Sequence, residues 1–295
     1  MNPVLRLDHR YHDVEDHDRG LVYDLATLDR RRMLKLLGLG GISAGLFTIV
    51  GCNPSGSSSA PGATATATAS ASQGTGATGS AGAASCEVIP EETAGPFPGD
   101  GSNGPDVLSQ TGVVRKDIRS SFGSSSGVAA GVPLSISLVL EDGADCAPLA
   151  GAAVYVWHCD QAGNYSLYSQ AAASENYLRG VQATDGSGVV RFQSIFPACY
   201  SGRWPHIHFE VYTDLEAATN EANKIATSQI ALPQDICDLV YATDGYSQSV
   251  SNLTQVSLAS DNVFGNDGGV HQLGTISGSV ASGLTVELAV PVQAA

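Results

Sequence analysis

From residue 133 onward the chain is cut into short runs that alternate apolar and polar side chains, and this pattern constrains the fold more than any other feature. In "LSISLVL", Ser135 and Ser137 alternate with Leu134, Ile136 and Leu138, the period-two mark of a strand with one buried face. Comparable strand-length runs are "AAVYVWHCD" from Ala152, "GVVRFQSI" from Gly188, "HIHFEVYTD" from His206, "TSQIALP" from Thr227, "HQLGTISGSV" from His271 and "GLTVELAVPV" from Gly283. The stretches "EDGADC", "TDGSG" and "FGNDGG" between them are turn sequences. Only "DLEAATNEANKIA", Asp214 to Ala226, predicts a helix. Short strands, frequent turns and few helices make the expected fold all-β, a single β-sandwich domain over residues 86–295.

What precedes that domain reads as an address and a tether. "DRRRMLK", Asp29 to Lys35, sets arginines ahead of the apolar run "LLGLGGISAGLFTIV", Leu36 to Val50. That run is shorter than the roughly 20 residues a membrane-spanning helix needs. With its basic flank it predicts a signal segment over residues 1–51, and the paired arginines resemble a Tat export signal. "IVGC", Ile49 to Cys52, resembles a bacterial lipoprotein cleavage site, which would make Cys52 the lipidated first residue of the mature protein; the alternative is an uncleaved anchor. Either places the body outside the cytoplasm, at the outer face of the cell membrane. His9, His12 and His17 precede the signal and are set aside with it. Residues 52–85 carry no charge and no large apolar side chain, so nothing there offsets the entropy of ordering, and a flexible tether is expected.

The net charge of −15 is unevenly spread: residues 1–51 balance, leaving seven basic against 22 acidic residues beyond them. So acidic a body repels phosphate backbones, which excludes nucleic acid as a partner. It also offers no polybasic route to anionic lipid, leaving a lipid anchor as the only membrane contact. Five cysteines remain after Cys52: Cys86, Cys146, Cys159, Cys199 and Cys237. Their spacing fits no zinc pattern, and an oxidising compartment predicts disulfides. At most two bridges and one spare thiol are expected, with fifteen possible pairings. Because Tat exports folded proteins, the bridges would close between thiols already adjacent.

The chemistry concentrates in "YSGRWPHIHF", Tyr200 to Phe209. Side chains at i and i+2 of a strand share a face, so His206 and His208 point the same way as a ready pair of metal ligands. Alone, that pair fits an ordinary strand equally well. Tyr200 and Arg203 precede it on a predicted loop, and "WHCDQAGNYSLYS" places Tyr165 on another. Tyr155, Tyr168, Tyr177 and Tyr212 read as packing or rim residues, Trp157 as core, His158 as a satisfied core histidine and His271 as surface.

The stretches "CEVIPEETAGPFP", "GAAVYVWHCDQAGNYSLYS" and "YLRGVQATDGSGVVRFQSIFPACYSGRWPHIHFEVY" resemble the intradiol ring-cleavage dioxygenases, and the tethered form resembles their exported branch. The resemblance implies a non-haem Fe(III) held by Tyr165, Tyr200, His206 and His208, with Tyr200 and His206 axial. It implies a catechol-type aromatic diol and O2 as substrates and a muconate-type dicarboxylate as product. Tyr200 would leave the metal as an internal base, Arg203 would stabilise charge on the substrate ring, and Gln229 would join the pocket. These residue types suit the chemistry, because a hard trivalent cation favours anionic oxygen donors and makes a bound phenol far easier to ionise. The alternative reading is an exported, non-catalytic ligand- or iron-binding module, since fold does not fix function.

Overall fold

Among the described residues, eight strands form two four-stranded sheets packed face to face. The computed structural model describes residues 86–293; the segments 1–51 and 52–85, Cys52 with them, lie outside the described residues. The strands are β1 (Pro133–Asp142), β2 (Ala153–Trp157), β3 (Arg179–Ala183), β4 (Val189–Ile195), β5 (His206–Tyr212), β6 (Ala226–Ala231), β7 (Thr275–Ser279) and β8 (Gly283–Val292). The first sheet runs β4-β1-β8-β7 and the second β3-β2-β5-β6. All pairings are antiparallel except β1 with β8. The all-β sandwich is therefore as expected, and all seven predicted runs hold strands.

Alternation explains the core. Leu134, Ile136, Leu138 and Leu140 of β1 and Leu284, Val286, Leu288 and Val290 of β8 face Val154 and Val156 of β2 and Ile207, Phe209 and Val211 of β5. Each large apolar side chain so buried contributes about 1.5–3 kcal/mol by leaving water.

Two expectations need correction, and one strand escaped the sequence pattern. The helix predicted over Asp214 to Ala226 is two single 3-10 turns, Ala217–Thr219 and Glu221–Asn223, running into β6. Local side chains compete with a helical backbone there: Asp214 Oδ1 accepts from the Ala217 N–H, Asn220 Oδ1 from the Ala222 N–H, and Asn220 itself is extended. The α-helices lie further on, α1 (Gln234–Tyr241) opening after Pro233 and α2 (Ser247–Leu253). Strand β3, with its glycine and buried arginine, showed no usable alternation. Among the described residues there is one bridge, Cys86–Cys146, and three buried thiols rather than one. Those thiols act as small apolar side chains facing backbone carbonyls: Cys159 toward Ala198, Cys199 toward Arg203 and Cys237 toward Leu232.

Candidate metal centre

On β5 the apolar Ile207, Phe209 and Val211 take the sandwich face, so His206, His208, Glu210 and Tyr212 must take the other. That outer face is buried as well, because the opening segment and the loop between β2 and β3 cover it: Val107, Leu108, Val113 and Tyr165 pack with Tyr155, Trp157 and Tyr212 in a second apolar cluster. A register row crosses the whole sheet here, Arg179 opposite Trp157, Trp157 opposite His208, and His208 opposite Gln229. The Trp157 indole lies flat on the His208 ring, centroids 4.9 Å apart.

The two tyrosines arrive on separate loops. Asp160 Oδ1 gathers the Ala162 and Asn164 N–H groups, turning the chain toward Tyr165. Gly163 within this turn has φ +88°, and a Cβ there would stand 3.3 Å from the Tyr200 Cβ, so glycine lets the two tyrosine-bearing loops approach. The Tyr165 N–H then donates to Ser169 Oγ. Tyr200 is held through its neighbour: the Cys199 N–H donates to Ser249 Oγ, and Asn252 Nδ2 donates to the Cys199 carbonyl, both from α2.

Four ring systems converge on one nitrogen. His206 Nε2 lies 3.1 Å from His208 Nε2, 3.2 Å from Tyr200 Oη and 3.5 Å from Tyr165 Oη. His206 Nδ1 sits 2.5 Å from the Trp204 carbonyl, which can only accept, so Nδ1 carries the proton and Nε2 of the neutral ring presents a lone pair. Burial first, then the Arg203 charge, lowers the His206 pKa; burial, then His206 and Arg203, lowers that of His208. Both rings stay neutral. Burial, then Tyr200, pushes the Tyr165 phenol up. One lone pair cannot satisfy three polar neighbours with hydrogen bonds alone. A small hard cation bound by two phenol oxygens and two imidazole nitrogens satisfies all four groups, so the donor set fits a metal ion. Among the described residues no group of three or more His, Cys, Asp or Glu side chains is placed to hold one. A metal held at this cluster would draw on the tyrosine oxygens as well as the imidazoles.

Arg203 stands beside this cluster, 1% exposed. Its Nε pairs with Asp261 Oδ2 at 3.0 Å and its Nη2 donates to Gln229 Oε1 at 2.7 Å. Asp261 Oδ2 also accepts from the Trp204 N–H, and its Oδ1 from those of Val263 and Phe264. Gln229 Nε2 donates to the Thr93 carbonyl, which ties the opening segment to the same group. Two residues past His208, Glu210 is raised to about 8 by burial and by Asp100, and its Oε2 accepts from Tyr212 Oη.

Sequence reasoning therefore brings Tyr165, Tyr200, His206, His208, Arg203 and Gln229 to one place. It missed Asp261, whose only trace is an Asp-Asn pair before a turn, far along the chain. Trp157 is buried as expected, but against His208 rather than between the sheets. His158 is a satisfied core histidine, bonded to Ser194 Oγ and the Cys159 carbonyl. His271 is half-buried and pairs with Glu87.

Known proteins share both the segment and the fold. The family model described as "Dioxygenase" matches residues 103–210, which hold both tyrosines, Arg203 and both histidines. Over 59 residues the chain is 41% identical to catechol 1,2-dioxygenase 2 of Acinetobacter lwoffii, covering 20% of this chain and 21% of that one. Over 55 residues it is 46% identical to chlorocatechol 1,2-dioxygenase of Rhodococcus opacus, covering 18% and 21%. The chain thus matches about a fifth of the length of these curated relatives. An intradiol ring-cleavage dioxygenase from Tetranychus urticae superposes with a TM-score of 0.55 at 24% identity, over 70% of this chain and 95% of that one. Fold and matched segment define a dioxygenase-type β-sandwich. Residues 103–210 therefore match the dioxygenase family model, and the fold is shared with the Tetranychus urticae protein.

Proposed function

We propose that this protein is an Fe(III)-dependent dioxygenase that opens the ring of a catechol-type diol between its two hydroxyl-bearing carbons. Both atoms of O2 enter the product, one on each of those carbons, which leave as the two carboxyl groups of a muconate-type acid. The observation that carries this reading is the convergence of two phenols and a second imidazole within 3.5 Å of His206 Nε2. Tyr165, Tyr200, His206 and His208 would hold the metal. When bound, ferric iron supplies Lewis acidity toward the diol and a path for electron transfer between diol and O2.

The residues divide the remaining work. His206 is locked in one tautomer by the Trp204 carbonyl, and His208 is fixed in plane by Trp157. Tyr165 is 2% exposed, whereas Tyr200 is half-buried. That asymmetry supports Tyr200 as the phenolate that takes a proton from an incoming hydroxyl, being the one a substrate can reach. Arg203, immobilised by Asp261 and Gln229, offers fixed positive charge where the ionised diol would lie, and fixed charge needs no reorganisation as negative charge develops. The names of the curated relatives support catechol and chlorinated catechols as the first compounds to assay.

The test is iron loading followed by oxygen uptake. Loaded protein should be red to burgundy through tyrosinate-to-iron charge transfer, and should consume one O2 per diol. A colourless iron-loaded protein would falsify the ligand assignment, and a coloured protein without uptake would leave a non-catalytic iron- or ligand-binding module. We also infer export and lipid anchoring through Cys52, with residues 52–85 as tether, on the signal pattern before it. Cys52→Ser should move the protein from the membrane fraction to the medium; unchanged fractionation overturns the anchor.

A further inference from the structure

Arg179 begins β3 at one end of the row that runs through Trp157 and His208 to Gln229. Its side chain is 1% exposed. A guanidinium carries five N–H donors in one rigid plane, and each finds an acceptor here. Nε donates to Ser166 Oγ at 3.0 Å. Nη1 donates to the Pro98 carbonyl at 2.6 Å and to Tyr155 Oη at 3.1 Å. Nη2 donates to the carbonyls of Phe97 and Ser166, both at 2.9 Å. All of these acceptors are uncharged oxygens, so the cation is spent on backbone placement rather than on a counter-ion.

Apart from Tyr155 on β2, the partners belong to two covering segments. Ser166 is the residue after Tyr165, and the Phe97 ring lies 5.0 Å from the Tyr165 ring. The guanidinium carbon also sits 5.5 Å from the Tyr168 ring centroid. Glycine at position 99 makes this approach possible, since a Cβ there would come within 2.7 Å of Arg179 Nη1. The backbone on one side of Tyr165 and the ring packed on it thus answer to the same planar group.

We propose that Arg179 is the positioning residue for Tyr165: by joining the Tyr165 loop to the opening segment, it sets where that phenol stands relative to the histidine pair. This rests on the reading of Tyr165 as a metal ligand. Lysine keeps the charge but has neither the plane nor the fork, so Arg179→Lys separates the two properties.

The experiment compares wild type, Arg179→Lys and the milder Tyr155→Phe, which removes one acceptor of Arg179 together with that hydroxyl's own bond to the Pro98 carbonyl. In the metal-free proteins, hydrogen exchange should rise together in peptides spanning 95–103 and 160–170 while β1 and β8 stay protected. In the iron-loaded proteins the tyrosinate band should shift or weaken per bound iron, and kcat should fall about 10- to 100-fold, the usual cost of losing a residue that orients a ligand. Tyr155→Phe should move every readout the same way by less, and it decides the matter should Arg179→Lys not fold. A wild-type band and kcat in the variants, whatever their melting temperature, overturn the inference; so does exchange that rises evenly across the domain. A wild type lacking any tyrosinate band overturns the functional reading instead, and the metal-free exchange still reports whether Arg179 holds the Tyr165 loop.

Discussion

The two sheets of this sandwich differ in what lies behind them. In the first, β8 alternates buried and more exposed positions along its length and β7 is largely exposed, as expected of strands with one face in water. In the second, every residue of β2, β5 and β6 is buried. Six of the seven residues on the outward positions of β2 and β5 carry a polar atom, Tyr155, Trp157, His206, His208, Glu210 and Tyr212, with Ala153 the exception. Burying polar groups costs free energy unless they are paired, so this hidden polar face must find partners within the fold. The centre sits on that face.

This contrast can be tested from the strongest effect down. Phe209→Ala, on the sandwich face of β5, should cost about 3–5 kcal/mol in urea unfolding, with or without iron. Asp261→Ala should cost about 3–4 kcal/mol, because it leaves the Arg203 charge buried without its carboxylate; it should also slow turnover, whereas a loss of stability at full kcat would make Asp261 purely structural. Tyr165→Phe, on the covered face, should leave unfolding nearly unchanged yet bleach the visible band and lower kcat about a hundredfold, roughly 2.7 kcal/mol of barrier. Normal turnover there would remove Tyr165 from the ligand set.

A smaller effect comes from acid. His158 follows β2 and bonds to Ser194 on β4, linking the two sheets. Burial lowers it from 6.5 to about 4. Between those values the unfolded chain binds more protons than the folded one, so its contribution is complete above about pH 6.5 and is lost as pH falls toward 4. The limiting slope is about 1.4 kcal/mol per pH unit. His158→Gln should flatten the stability curve in that window, and an unchanged slope would mean the ring titrates normally. Smallest of all, Ser277→Ala on exposed β7 should shift stability by less than about 0.5 kcal/mol, measured by the same unfolding curve.

Legibility in the sequence followed the same division. β1 and β8 were plain because one face meets water and alternation survives. β3 was not, since Arg179 is buried for reasons supplied by residues 97, 98 and 166, and Gly180 packs under Val113, Arg115 and Ile118. The shared face of His206 and His208 followed from strand periodicity alone, whereas Tyr165 and Tyr200 on their loops came only through family resemblance. Asp261 stayed invisible because its partner lies 58 positions earlier. The helix expected near Ala217 failed on local side-chain competition, and the thiols failed because burial in a core makes a cysteine as content unpaired as paired.

The parallel pairing of β1 with β8 also governs how the molecule comes off the ribosome. Its first sheet lacks a central member until everything between Asp142 and Gly283 has been translated, and β7 then has no neighbour except that late arrival. A nascent chain must therefore wait with β1 half-clothed, which makes this half of the domain the one most in need of shelter by chaperones during synthesis.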